Sequence, residues 1–419
     1  MPESEILSEL PSKSAVRRRD FLRFASAAAA AVPIVTEAAL ARAAAKDDPV
    51  LTGMALHGQG KDLPPADAVL INANENPLGP CKTALQGIVD IAPMGGRYDL
   101  LGEEAQLKAV FAAQNGLKED NVEIYAGSSE PLHYSVLAFT SPTKSLVTAD
   151  VAYEAPWAAA MTSGAKVTKV PLVEGSYAHD VKALVAAAKA NDAGVIYICN
   201  PNNPTGTITP KADIAWALEN KPKGTILLVD EAYIHLSDAE PALDYVAQGK
   251  DLIVLRTFSK IYGMAGIRCG FAVGRPDLLA KLKPFGQNAM PVTGLTAAKH
   301  SLLDANLVPL RKKLIGDTRR DTIAWLKANG FKVLGDSQTN CFMIETGRPG
   351  KEVFAAMKEK KVYIGRSWAA WPTAVRVSVG TPEEMAKFKV AWKEVMSTPA
   401  KTASADLAEE PHTQFPRYS

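Results

Sequence analysis

The sequence predicts an α/β fold, a three-layer sandwich with a mainly parallel central sheet, joined to a smaller α+β domain. Three observations predict it. Short apolar runs rich in β-branched residues recur between residues 122 and 274, separated by helical or loop segments. Several of those runs are apolar throughout, as strands covered on both faces require. From about residue 285 the pattern changes to long amphipathic helices and a few short strands.

Taken in order, residues 44–85 read as an extended, Pro-rich segment containing "LPPADAVLINANENPLGP". The domain predicted over 86–288 opens with a helical stretch, "EEAQLKAVFAAQNG", then a strand, "VEIYAG", and a helix from Glu130. The strands "KSLVTAD", "AKVTKVPL", "GVIYICN", "TILLVDEAY", "DLIVLRTFS" and "RCGFAVG" follow. The smaller domain, 289–396, carries the amphipathic "LVPLRKKLIGDTRRDTIAWLKANG" and short strands near "FKVL", "CFMIE", "VYIG" and "AVRVSVG". The polar tail, 397–419, reads as disordered.

Of the 419 residues, 47% are hydrophobic and 22% charged, an ordinary globular balance that supports a sizeable core. The net charge of +2 gives no indication of nucleic acid or acidic lipid as partner. The basic cluster near the N-terminus, Arg17–Arg19, precedes Phe21-Leu22, an alanine-rich apolar run and Ala41-Arg42-Ala43. Basic region, apolar region and small-x-small site are the parts of a secretory signal. "RRDFLR" resembles the twin-arginine consensus, whose route carries folded proteins. A membrane anchor or a basic arm is the competing reading, but Pro33 and Glu37 interrupt an already short run. Residues 1–43 are therefore expected to be a cleaved signal. The expected mature protein is periplasmic or secreted, without stable membrane association.

The four cysteines (81, 199, 269, 341) form no CxxC pair, and the six histidines lack metal-ligand spacing. No metal site is signalled. Cys199 and Cys269 lie in apolar runs and read as buried thiols. One disulfide is compatible with an oxidising compartment.

Three signals fall at the ends of predicted strands, where open α/β sheets bind ligands. "NPNNPTG", Asn200–Gly206, forces a rigid turn and is by itself only a tight loop. Asp230 closes the apolar "LLVD", where a carboxylate needs a facing cation or N–H, or else caps a helix. Lys260 ends "LIVLRTFSK", with Arg268 eight residues on, and alone reads as a surface charge.

In this order and spacing, "NPNNPTG", "VDEAY" and "TFSK" with Arg268 resemble the fold-type I pyridoxal-phosphate aminotransferases of class I and II. The resemblance runs from "NANENPLG" at Asn72 to "VRVSVGTPEE" ending at Glu384, and those end motifs are similar to the histidinol-phosphate aminotransferase-like branch. It implies that Lys260 forms a Schiff base with the cofactor aldehyde and then carries the proton between the substrate Cα and the cofactor. Asp230 would pair with the pyridine nitrogen and keep it protonated, making the ring an electron sink. Asn203 and Tyr233 would hydrogen-bond the ring hydroxyl oxygen, and Tyr153 would stack on the ring. Core packing is the alternative for Tyr153.

For the phosphate, Gly127, Ser128 and Ser129 in "AGSSE" stand where a helix N-terminus favours an anion, although a serine there also caps helices. Thr257, Ser259 and Arg268 match the remaining phosphate contacts of the family. Tyr98 matches a tyrosine that reaches the phosphate from the partner subunit and so implies a homodimer. Its context, "RYDL", departs from the Arg-Tyr-Pro-Asp common in relatives. Arg376 matches the clamp on the substrate's carboxylate or phosphate, and Arg366 matches a second anion contact. Asn74 lies on the segment that folds over the site, and residues 44–85 would join that site to the small domain. Trp368 and Trp371 either line the side-chain pocket or pack in the interior.

The resemblance thus implies an enzyme that moves an amino group from an amino acid, or a histidinol-phosphate-like amine, to a 2-oxo acid. An export signal argues against histidine biosynthesis as its role. The rivals are a decarboxylase or lyase on the same scaffold and a catalytically silent envelope binding protein.

Overall fold

In the computed structural model, residues 64–286 and 288–398 are described; the predicted signal and nearly all of the predicted tail lie outside them. Twelve strands are formed among these residues: β1 Val69–Ile71, β2 Val122–Tyr125, β3 Ser145–Asp150, β4 Val167–Pro171, β5 Ala193–Cys199, β6 Ile226–Asp230, β7 Leu252–Thr257, β8 Gly270–Gly274, β9 Lys332–Leu334, β10 Cys341–Glu345, β11 Val362–Ile364 and β12 Ala374–Ser378.

The large sheet has the order β2-β8-β7-β6-β5-β3-β4. β8 alone runs opposite to the other six strands, so its pairings with β2 and β7 are antiparallel and the rest are parallel. Along β5 and β6, successive side chains enter two different cores. Ile196, Ile198, Leu227 and Val229 join one core, and Val195, Tyr197, Cys199, Ile226 and Leu228 join the other. Strand geometry sends alternate residues to opposite faces, so two covered faces require a run with no polar position. Asp230 is the break in that run, and by parity it shares the face of Tyr197 and Leu228.

A separate antiparallel sheet, β12-β10-β9, is built from the later strands. β1 pairs in parallel with β11, Leu70 opposite Tyr363, which anchors the chain just before Asn72 and Asn74. Of the segment read as extended, residues 44–63 lie outside the described residues, 64–81 form no helix, and a helix already begins at Lys82 and runs to Ile91. The helix Pro382–Ser397 starts at a capping box. The Thr381 hydroxyl accepts from the Glu384 amide at 3.2 Å, and the Glu384 carboxylate accepts from the Thr381 amide at 2.7 Å. This reciprocal cap, with Pro382 in the first turn, contributes about 1 kcal/mol. The helix buries Met385, Phe388, Trp392 and Val395 at helical spacing. All four cysteines are free thiols, and three of them, Cys81 excepted, are buried.

Candidate active site

The site lies at the C-terminal ends of β5, β6 and β7, where the register sets Cys199 beside Asp230 and Asp230 beside Leu255. Asp230 is buried, and burial pushes its carboxyl up to about 6 in spite of two hydrogen bonds. It accepts from the Tyr197 hydroxyl at 2.9 Å and from the Ala232 amide at 3.2 Å. It therefore caps no helix. A buried carboxylate held this way favours a cationic N–H as its remaining partner.

Lys260 follows β7 and is far from a surface charge. Burial, with Arg376 nearby, pulls its amine down to about 8. Its Nζ donates to the Asn74 carbonyl at 3.0 Å and lies 5.4 Å from the Tyr233 ring centre. Asn74 adopts a left-handed backbone, φ 54°, which asparagine tolerates better than most residues. Its side-chain amide donates to the Tyr233 hydroxyl at 3.1 Å and to Cys341 Sγ at 3.2 Å, and its Oδ1 accepts from Ser378 at 2.9 Å. Asn74 thus joins the early segment, the loop after β6, β10 and β12 around the lysine.

Two further residues hold the opposite rim. Arg376, buried on β12, donates to Asn203 Oδ1 at 3.0 Å and to the Asn72 carbonyl at 2.7 Å, while its Nε has no partner among the described residues. With its carboxamide oxygen taken, Asn203 can offer a ligand oxygen its NH2. The loop bearing Asn203 is itself fixed by Asn202, whose side chain donates to Thr205 and to the Val151 carbonyl.

The phosphate-binding candidates also converge. Arg268, at φ 67°, donates to the carbonyls of Ala126 (2.8 Å) and Ala265 (2.9 Å) and weakly to Ser259 Oγ (3.4 Å). The Thr257 hydroxyl donates to Ser259 Oγ at 3.0 Å. Gly127 has φ 87°, and a Cβ there would stand 2.2 Å from Arg268 Nη2, so only glycine leaves this cradle open. Gly270 on β8 is needed for the same approach, since its Cβ would lie 2.6 Å from the Gly127 carbonyl carbon. Ser128 precedes the helix Ser129–Phe139 without a side-chain cap, so the first-turn N–H groups are not taken by its hydroxyl. Glycine, two serines, a threonine, a serine and an arginine suit a phosphate dianion. With Asp230 and Lys260 beyond them, the donor set fits pyridoxal phosphate from end to end.

Tyr153 is half-buried between these regions, packed against the core, in hydrogen-bonding contact with Ser129 and within electrostatic reach of Asp230 and Arg366. Arg366 forms an ion pair with Glu154 at 2.5 Å. Trp368 is buried, packed with Val151 and Met343, and its Nε1 donates to the Ala152 carbonyl at 3.2 Å. Trp371 packs edge-on against Tyr177. Tyr98 is 86% exposed.

Sequence reasoning missed Tyr197, Cys341, Ser378 and Glu154. Tyr197 alone left a signal, because it lies two residues before Cys199 and so shares the face of Asp230. The other three are brought in by long-range contacts that no local pattern encodes.

Comparison with known proteins agrees with this geometry. Residues 66–390 match the family described as aminotransferase class I and II. A histidinol-phosphate aminotransferase of Symbiobacterium thermophilum is 33% identical over 355 residues, covering 82% of this chain and 95% of that protein. An aromatic amino acid aminotransferase of Cutibacterium acnes is 29% identical over 342 residues, 80% of this chain and 94% of that protein. The crystal structure of histidinol-phosphate aminotransferase from Sinorhizobium meliloti in complex with pyridoxal-5'-phosphate superposes with a TM-score of 0.73. It is 25% identical and covers 84% of this chain and 98% of its own.

Proposed function

The chain belongs to the class I and II aminotransferases, and on that premise we propose that it works outside the cytoplasm as a homodimer. It is a pyridoxal-phosphate-dependent enzyme that moves an amino group from an amino acid or histidinol-phosphate-like amine to a 2-oxo acid. One observation carries the catalytic assignment: the half-buried Lys260, its amine pulled down to about 8, and the buried Asp230, its carboxyl pushed up to about 6, share one site at the ends of adjacent strands.

The cofactor, when bound, supplies an electron-withdrawing ring that stabilises negative charge at the substrate Cα. The protein does the rest. Gly127, Ser128, Ser129, Thr257, Ser259 and Arg268 would hold the phosphate. Asp230, its carboxylate fixed by Tyr197 and Ala232, would keep the ring nitrogen protonated. Asn203 and Tyr233 would orient the ring hydroxyl, and Tyr153 would cover a ring face. Lys260, with its amine near 8, has an appreciable unprotonated share at neutral pH and can take up and return the Cα proton. Arg376 would bind the donor's carboxylate or phosphate.

The proposal of export rests on the twin-arginine-like stretch at Arg18–Arg23, a route suited to an enzyme loaded with its cofactor before transport. The homodimer proposal is supported by the exposed stretch Tyr98, Leu100 and Leu101, since apolar side chains grouped on a surface suit an interface. The test is a screen of amino donors, histidinol phosphate included, against 2-oxoglutarate and pyruvate. Turnover that requires both donor and acceptor supports aminotransfer, whereas amine or CO2 released without any acceptor would make this a decarboxylase.

A further inference from the structure

We propose that Glu154 is a specificity-determining residue: by pairing with Arg366 it fits the outer end of the site to donors whose distal group is uncharged. The proposal deepens the aminotransferase reading and rests on it.

The two arginines of the site are in different electrostatic states. Both guanidinium groups lie over one indole, that of Trp368, at 4.8 Å for Arg366 and 5.7 Å for Arg376. Trp368 is only 3% exposed and tied to the Ala152 carbonyl, so it fixes the loop before β12 against the loop after β3. Arg376 donates to two neutral oxygens, and among the described residues no carboxylate pairs with it. Its positive charge is uncompensated. Arg366 is already compensated by Glu154, whose backbone neighbour is Tyr153.

The substrate site therefore offers one open positive charge, matched to one anionic group on the donor. A second anionic group reaching Arg366 has to displace Glu154 and then remain beside its carboxylate. Arg366 is 42% exposed, so solvent screens the pair and its effect is a graded preference, not an absolute block. An amide or aromatic end meets the Arg366–Glu154 pair without that conflict.

The experiment uses the cofactor-loaded enzyme and its E154Q and R366Q variants. Glutamate with glutamine and aspartate with asparagine serve as isosteric pairs, each as donor or as competitor of a reacting donor, with the cofactor's visible band as readout. Wild type is expected to half-saturate at lower amide than acid concentration. E154Q should shift the acid-to-amide ratio toward the acid by about two- to five-fold, and R366Q should shift it the other way. The visible band itself reports that each variant has a folded, loaded site. An unchanged ratio in E154Q, or a wild type that prefers acids, overturns the role of Glu154 alone. A band that no donor bleaches, aromatic donors included, overturns the aminotransferase reading and this inference with it.

Discussion

Tyr197 donates its hydroxyl to Asp230 Oδ2 over 2.9 Å, from a neighbouring strand and on the same face of the sheet. The bond favours the ionised carboxylate and opposes the upward push of burial. Tyr197 is thus a positioning residue, acting on the cofactor through Asp230.

Y197F should raise the Asp230 pKa further. Hydrogen bonds to charged groups are worth roughly 1.5–3 kcal/mol, so the acid limb of the kcat/KM profile should move up by about one to two pH units. Affinity for pyridoxal phosphate should fall as well. An acid limb that stays in place would remove Tyr197 from the mechanism.

Asp230 itself sets function against stability. Its carboxyl rises from 3.8 to about 6, so the folded protein binds that proton more tightly than the unfolded chain. Stability of the cofactor-free protein should therefore fall as pH rises through that window, with a cost of roughly 3 kcal/mol above it. D230N should raise the Tm of cofactor-free protein at neutral pH while abolishing turnover. Calorimetry that finds a lower Tm would contradict this.

How far the sequence carried the reading differs by region. β5, β6 and β7 were legible because burial on both faces demands uninterrupted apolar runs, and Asp230 and Lys260 stood out as the polar ends of such runs. Asn74 was placed over the site, as a substrate-binding candidate, by the resemblance alone, and its role as a hub was not legible. Its bonds to Tyr233, Cys341 and Ser378 span 159 to 304 residues and depend on the β1–β11 pairing. The Arg366–Glu154 pair was hidden for the same reason. The early segment was read as extended through Pro80 and Cys81 into what is the helix Lys82–Ile91, because proline and asparagine dominate just before it.

Lys260 gives the opposite pH dependence. Its folded value, about 8, lies below the 10.5 of an exposed amine, so the folded state holds fewer protons between the two. Stability of the cofactor-free protein should rise with pH through that interval, and the charged amine costs most below it. K260M removes the effect. The Tm difference between K260M and wild type should favour K260M near neutrality and shrink as pH approaches 10.5. A difference that does not vary with pH would mean the amine is not desolvated.

The phosphate cradle depends on the missing Cβ at Gly127. G127A places a methyl where Arg268 Nη2 stands and strains a left-handed backbone. Cofactor affinity, measured by equilibrium dialysis, should weaken about ten-fold or more, since displacing Arg268 costs a charge-assisted contact. Unchanged affinity would place the phosphate elsewhere.

The central claim is that Lys260 is the residue to which the cofactor attaches. Borohydride reduction of the cofactor-loaded protein, followed by mass analysis of its peptides, tests this most directly. The pyridoxal-phosphate mass should fall on the peptide containing Lys260 and should be absent from K260M. A label on another lysine, or a loaded wild-type protein that reduction leaves unlabelled, would contradict it.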